Sequence, residues 1–329
     1  MPSRSGSGRP ARLSSSSGQN SMLTKRKVRR ARGKSAASKR VEGARAIQAE
    51  LAPPVGLPIV HRIAEHRGFL VRSSSLGRCI YCGKTTDLTD EHIIPDGLCG
   101  DVLFADASCL ECAQVTGALE QYVMRRQLIH IRGVLGLKSR KRRRQTRMQT
   151  FMVRDGPTEK PVDVPYDKDS PVHFSVPITE PNPGILCGKP KYHQYLYYAQ
   201  PIATLDAVRR ITERVGPGAR LEAKFNTDPF LRMLAKIAHG FAYAALVDGT
   251  FEPILSSFIL GRPGAAGGAY YIGTRTHANI KCHHYMRLLE RTVRGVRYLI
   301  AEIMMFGLLP TPLYTVVVGP IIADVIRAR

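Results

Sequence analysis

Two C-x-x-C pairs, Cys79/Cys82 and Cys109/Cys112, flank the dipeptide Glu91-His92 in a chain of 329 residues. Four thiolates in two knuckles form the tetrahedral donor set of zinc, and with sulfur in all four positions no coordination site is left open. Such an ion is structural: it contributes folding energy, not chemistry. The chemistry must come from the loop between the pairs. A carboxylate is a hard oxygen ligand for Mg2+ or Mn2+, and an imidazole can take a proton from water near neutral pH. Glu91 and His92 together therefore suit metal-assisted hydrolysis, in which the ion stabilises charge on a phosphate and on the leaving oxygen. A lone Glu-His pair reads as a solvated charge beside a structural histidine; the four-cysteine frame reverses that reading.

The stretch C-I-Y-C-G-K-T-T-D-L-T-D-E-H-I-I-P-D-G-L-C-G, followed by A-S-C-L-E-C-A, resembles the zinc-containing HNH endonuclease family. More narrowly, it is similar to bacterial and phage proteins with an E-H-I-I-P-x-x-L-G-G core. The resemblance covers residues 78–122. It implies a β-hairpin, a metal ion and a helix packed together, treble-clef-like, with a zinc knuckle clamping the ends. On that resemblance Glu91 stands at the metal-binding acidic position, His92 at the general base, and Cys79, Cys82, Cys109 and Cys112 at the zinc ligands. The segments Lys236-Ile237-Ala238-His239-Gly240 and Phe251-Glu252-Pro253 also look like that narrower group, with no mechanism attached.

Two positions depart from the family pattern. Many members carry Asn directly after the second knuckle as a further metal ligand; here Ala113 stands there and cannot coordinate anything. The first glycine of L-G-G is Cys99, while the second is kept as Gly100. Another oxygen would have to complete a catalytic metal site. Glu120, two helical turns after Ala113 on the same face, and Asp106, just before the second knuckle, are the alternatives, with water or no ligand as the third.

The formal net charge is +23, which favours polyanionic partners, nucleic acid first and double-stranded DNA above all. The run Lys138, Arg140, Lys141, Arg142, Arg143, Arg144 follows the module and reads as a backbone clamp that positions phosphate without reading sequence. Seven cysteines, four of them paired in knuckles, argue against a disulfide framework and for a reducing compartment. The N-terminus has no apolar signal segment, and no apolar run is long enough to span a bilayer. The expectation is a cytoplasmic protein that does not engage a membrane.

The elements that must position these groups follow from pattern. Residues 1–52 are rich in Ser, Gly, Arg and Lys and read as a disordered basic arm. A nuclease module over 59–136 contains a helix from Cys109 to Leu135. A basic and Pro-rich linker with short strands spans 137–190. A C-terminal α+β domain of unknown role spans 191–329. Within it the spacing predicts helices at Leu205–Val215 and Asp228–Val247, the latter with Phe230, Leu231, Leu234, Ile237, Phe241 and Leu246 on one face. An antiparallel meander follows at Tyr285–Glu290, Arg297–Phe306 and Leu313–Val318, with Arg294-Gly295 as one turn. The fold class is α+β: a ββα-metal zinc module, then mixed helices and antiparallel strands.

Other residues invite a ligand reading. The cluster His277, Cys282, His283, His284 is read as non-metal, since neighbours on a strand face opposite ways. Tyr192, Tyr195, Tyr197 and Tyr198 read as a strand face packing on a core before they read as a base-stacking platform. The competing function is a zinc-stabilised nucleic-acid-binding protein with a degenerate active site, supported by Ala113. An RNA-directed or ribosome-associated role is the weaker third option.

Overall fold

The structure, a computed structural model, describes residues 55–63, 71–100, 102–135, 137, 147–166, 173–193, 198–203, 205–221, 225–275 and 282–323. The chain separates into two compact units, 1–46 and 47–329, and every described residue lies in the second. The basic arm and the run from Lys138 to Arg144 fall outside the described residues.

Strands β1 (Val55–Ile63) and β2 (Val71–Ser73) come first. Strands β3 (Leu88–His92) and β4 (Val102–Cys109) pair antiparallel, and β2 joins the outer side of β4 in parallel. Helix α1 (Leu110–Tyr122) leaves directly from the end of β4. The expected single helix from Cys109 to Leu135 is broken instead. A π-turn at Val123–Gln127 separates α1 from the short α2 (Ile129–Val134). The amide of Leu128 reaches the carbonyl of Val123 at 2.9 Å, a wider turn that keeps Val123, Leu128 and Ile131 all at 0 % exposure. A regular helix drifts such a set of apolar residues around its circumference.

Strands β5 (Arg147–Asp155) and β6 (Thr158–Tyr166) form a hairpin longer than the short pieces expected there. Strands β7 (His173–Ile178) and β8 (Tyr198–Ala203) make another two-stranded sheet. Helix α3 (Leu205–Val215) and the short β9 (Arg220–Leu221) lead to α4 (Thr227–Ala245). Asn226 caps α4, its side chain accepting from the amide of Asp228, and Pro229 sits in the first turn, where its missing N–H costs nothing. Two single turns, α5 (Ser256–Ile259) and α6 (Gly268–Tyr271), precede β10 (Ile272–Arg275). The meander follows as β11 (His284–Val293), β12 (Val296–Met305) and β13 (Leu313–Pro320). It builds a five-stranded antiparallel sheet in the order β1-β11-β12-β13-β10. The β11–β12 turn places Arg294 and Gly295 at φ +53° and +77°, the pair of left-handed residues that a two-residue hairpin of this twist demands.

Helix α4 is the hub. Every residue from Met233 to Tyr243 is buried, so it lacks the solvent face that its apolar stripe alone would suggest. One continuous core joins Cys79, Ile93, Phe104 and Ile131 of the zinc region to Phe230, Leu234 and Ile237 of α4 and to Ile303 and Val316 of the sheet. Each such aliphatic or aromatic side chain contributes roughly 1.5–3 kcal/mol on burial. No helix among the described residues is long and apolar enough to cross a membrane.

Candidate active site

The four-cysteine cage forms where a loop meets a strand end. A tight turn folds Cys79 and Cys82 together: the amide of Cys79 donates to the carbonyl of Lys84 at 2.7 Å and that of Gly83 to Cys79 at 2.9 Å, with Gly83 at φ +79°. The amide of Ile80 donates to Ala107 at 2.9 Å, which ties this turn to β4. Cys109 ends β4 and caps α1, and Cys112 lies in the first turn of that helix. Helix N-termini favour negative charge, which suits thiolate ligands. The four sulfurs lie within 4.8 Å of one another, and those of Cys82 and Cys109 are 3.6 Å apart. Tetrahedral zinc with Zn–S of about 2.3 Å places its sulfurs about 3.8 Å apart, so the donor set fits the ion. Burial pushes the thiols of Cys82 and Cys112 up. Burial acts the same way on Cys109, but the amide of Cys112 and the surrounding thiols outweigh it and bring that thiol below its ordinary value.

The loop between β3 and β4 carries Ile93, Ile94 and Pro95, all buried, and a single 3-10 turn at Asp96–Leu98. Cys99 adopts the left-handed conformation, φ +64°, at the position where the family pattern has glycine. A Cβ on Gly100 would stand 1.9 Å from the carbonyl oxygen of Ile94, which explains why that glycine is kept. Buried side chains from elsewhere hold the carbonyls of this segment. Arg132 donates from Nε to Gly97 at 2.8 Å, and His284 bonds through Nε2 to Leu98 at 2.7 Å. Lys236 donates to the carbonyl of His92 and, at 3.4 Å, to that of Ile93.

Neighbouring residues on a strand point to opposite sides. Glu91 turns inward and is 7 % exposed, while His92, at the end of β3, is half-buried. Inside, Oε1 of Glu91 lies 2.6 Å from Nζ of Lys236, and Oε1 of Glu120 lies 2.7 Å from the same nitrogen. Burial raises the Glu120 carboxyl, the Lys236 charge pulls it back, and Glu91 adds to the rise, leaving it above its ordinary value. Burial lowers Lys236, but Glu120 and then Glu91 outweigh it, so the ammonium is held charged more firmly than in water. The Tyr81 hydroxyl is also buried here without a hydrogen-bond partner, its proton retained by burial and by the two carboxylates.

The stripe of α4 facing this region is Lys236, His239, Gly240 and Tyr243, the i, i+3, i+4, i+7 spacing of one helix face. His239 bonds through Nε2 to the carbonyl of Ile80 at 2.8 Å and stacks on Tyr81, ring centroids 5.4 Å apart and 16° from parallel. Burial drops its pKa to about 4. A Cβ on Gly240 would stand 3.5 Å from the Ile93 side chain, an ordinary contact, so the helix packs on Ile93 at a distance that does not itself demand glycine. The Tyr243 ring lies 5.8 Å under the guanidinium of Arg78, which pairs with Asp248 at 2.6 Å.

The structure thus brings together the four cysteines, and separately Glu91 with Glu120. Asp106 occupies the bulge where β3 and β4 slip register, at φ +46°, and its amide donates to the Asp90 carboxylate at 3.2 Å. Glu91 and Glu120 are the carboxylates paired with Lys236, and Ala113 one turn into α1 brings no side-chain oxygen. Zinc fits the sulfurs. A catalytic Mg2+ or Mn2+ does not fit the focus of Glu91 and Glu120 as built, because the Lys236 ammonium stands there. Sequence reasoning gave Arg132 no role, named Lys236 and His239 only within a segment with no mechanism attached, and weighed His284 only as a metal ligand. A lysine inside a helix apolar on every side was the one visible signal, since such a charge persists only when paired. His284 is a strut and not a ligand: Nδ1 accepts the amide of Phe306 at 3.3 Å while Nε2 serves Leu98. Tyr192 is exposed and donates to Gly264 at 3.1 Å; Tyr195 and Tyr197 fall outside the described residues.

Residues 79–128 match a family model described as HNH endonuclease. No curated protein and no solved structure gives a significant match.

Proposed function

We propose that this protein is an HNH-type endonuclease that hydrolyses phosphodiester bonds of nucleic acid, double-stranded DNA first, with His92 as general base. The observation that carries the reading is the order of the matched segment: a β-hairpin, β3–β4, ending in a helix, with four sulfurs clustered at its ends and Glu91-His92 on its first strand. We read this as the ββα arrangement of the family. In it, the half-buried His92 takes the proton of the attacking water. Glu91, turned the other way and bonded to Lys236, fixes the end of β3 so that the imidazole is presented without searching among conformers. Mg2+ or Mn2+, the cofactor the family resemblance implies, would supply charge neutralisation at the phosphate. With Lys236 between Glu91 and Glu120, no step is assigned through such an ion. The basic run from Lys138 to Arg144, just after the module in sequence, supplies backbone affinity in this reading.

The second reading, a zinc-stabilised nucleic-acid-binding protein without activity, is favoured by two observations: Ala113 in place of a ligand and Lys236 between the carboxylates. Plasmid nicking separates the two. Zinc-loaded protein is incubated with supercoiled DNA in Mg2+, Mn2+ or EDTA. Conversion to open circles by wild type under any of these conditions, absent with His92→Ala, supports the nuclease. Intact plasmid throughout, with DNA bound, supports the second reading.

A further inference from the structure

We infer that Lys236 is the resident cation of the Glu91–Glu120 pair, and that this acid pair is therefore not a divalent-metal site in this protein; the inference rests on the HNH reading of the module. An ammonium has three protons and no acceptor. Here its nitrogen lies 2.6 Å from Oε1 of Glu91 and 2.7 Å from Oε1 of Glu120 and donates to the carbonyl oxygens of His92 and, at 3.4 Å, Ile93, so oxygens surround it on every side. The side chain is 1 % exposed, so it has no solvent to retreat into. A divalent ion bridging the same two oxygens would share the pocket with this fixed charge, and repulsion there is not screened by water. The neighbouring groups complete the case. Ala113 offers no ligand oxygen from α1. The sequence supplies a second carboxylate at Glu120, and the fold spends it on the lysine. Arg132 and His284 hold the loop carbonyls of Gly97 and Leu98, so Lys236 extends a pattern in which the chain's own side chains hold this segment.

Lys236 is then a positioning residue. It locks the carbonyl of His92 and the carboxylate of Glu91 to α4, and so sets the place of the imidazole.

The test is a binding titration. Zinc-loaded full-length protein is titrated with Mn2+, and uptake is read from the electron paramagnetic resonance signal of the free ion. Wild type and Glu120→Gln are expected to give coinciding isotherms. Lys236→Met, confirmed folded by circular dichroism, is expected to gain one site, lost again in the Lys236→Met/Glu120→Gln double variant. A wild-type site whose affinity falls tenfold or more in Glu120→Gln overturns the inference, and so does a folded Lys236→Met that gains nothing. Should Lys236→Met not fold, the comparison of wild type with Glu120→Gln decides alone. The readout needs no catalysis: absence of nicking would sink the nuclease reading and leave this titration standing.

Discussion

Nζ of Lys236 and Oε1 of Glu91 lie 2.6 Å apart, which fastens the buried helix α4 to the strand carrying the Glu-His pair. The contact makes the long C-terminal part an integral support of the four-cysteine module, consistent with the one core they share.

Breaking that contact has a defined cost. Lys236→Met leaves Glu91 and Glu120 facing each other without a counter-charge, and removal of one partner from a buried pair costs roughly 3–5 kcal/mol. Adding Glu120→Gln should return part of that loss. Urea unfolding of the single and double variants measures both, and a Lys236→Met loss below 1 kcal/mol would contradict the role given to the ammonium.

The cage should behave as a folding element. Cys79→Ser and Cys112→Ser remove buried ligands, and structural zinc in small modules contributes on the order of 10 kcal/mol. Zinc content by metal release should fall from one ion to none, and proteolysis should open the region around residues 79–128. A fully folded variant that still holds zinc would argue against the four-sulfur donor set.

His239 predicts a pH dependence of stability. Its folded pKa is about 4, lowered chiefly by burial, against about 6.5 in the unfolded chain. Between those values the unfolded state binds the proton and the folded state does not, so stability falls as pH drops from about 6.5 toward 4. The full contribution is on the order of 3 kcal/mol. Above pH 6.5 it is flat. His239→Gln keeps a donor for the Ile80 carbonyl and should flatten the slope in that window; an unchanged slope assigns it to other groups.

Gly100→Ala tests the loop. Its Cβ would overlap the Ile94 carbonyl at 1.9 Å, a contact with backbone that no rotamer relieves. The loop must shift, at a cost of about 1–3 kcal/mol. Thermal melting of Gly100→Ala beside wild type reads the loss.

Local signals carried far in this chain. Cysteine spacing foretold the cage because two knuckles close on themselves whatever surrounds them. Helical periodicity placed Asp228–Val247 within two residues of the observed Thr227–Ala245, and strand alternation with the Arg294-Gly295 turn placed the meander. What stayed illegible was tertiary. The break after Tyr122 depends on where Val123 and Leu128 find their core, not on any breaker residue. The pairing of Glu120 with Lys236 joins positions from distant parts of the chain, and single-sequence spacing holds no record of it. Glu120 could be singled out as an oxygen aimed at the site, but not the cation it would meet.

The most direct measurement is single-turnover cleavage of a labelled DNA duplex by zinc-loaded wild type and His92→Ala, with binding followed on the same samples by mobility shift. Cleavage by wild type, a loss of at least a hundredfold in His92→Ala and unchanged binding and zinc content are the expected results. Equal cleavage by both proteins, or none by wild type in Mg2+, Mn2+ or EDTA while the duplex is bound, would contradict His92 as the base of a nuclease.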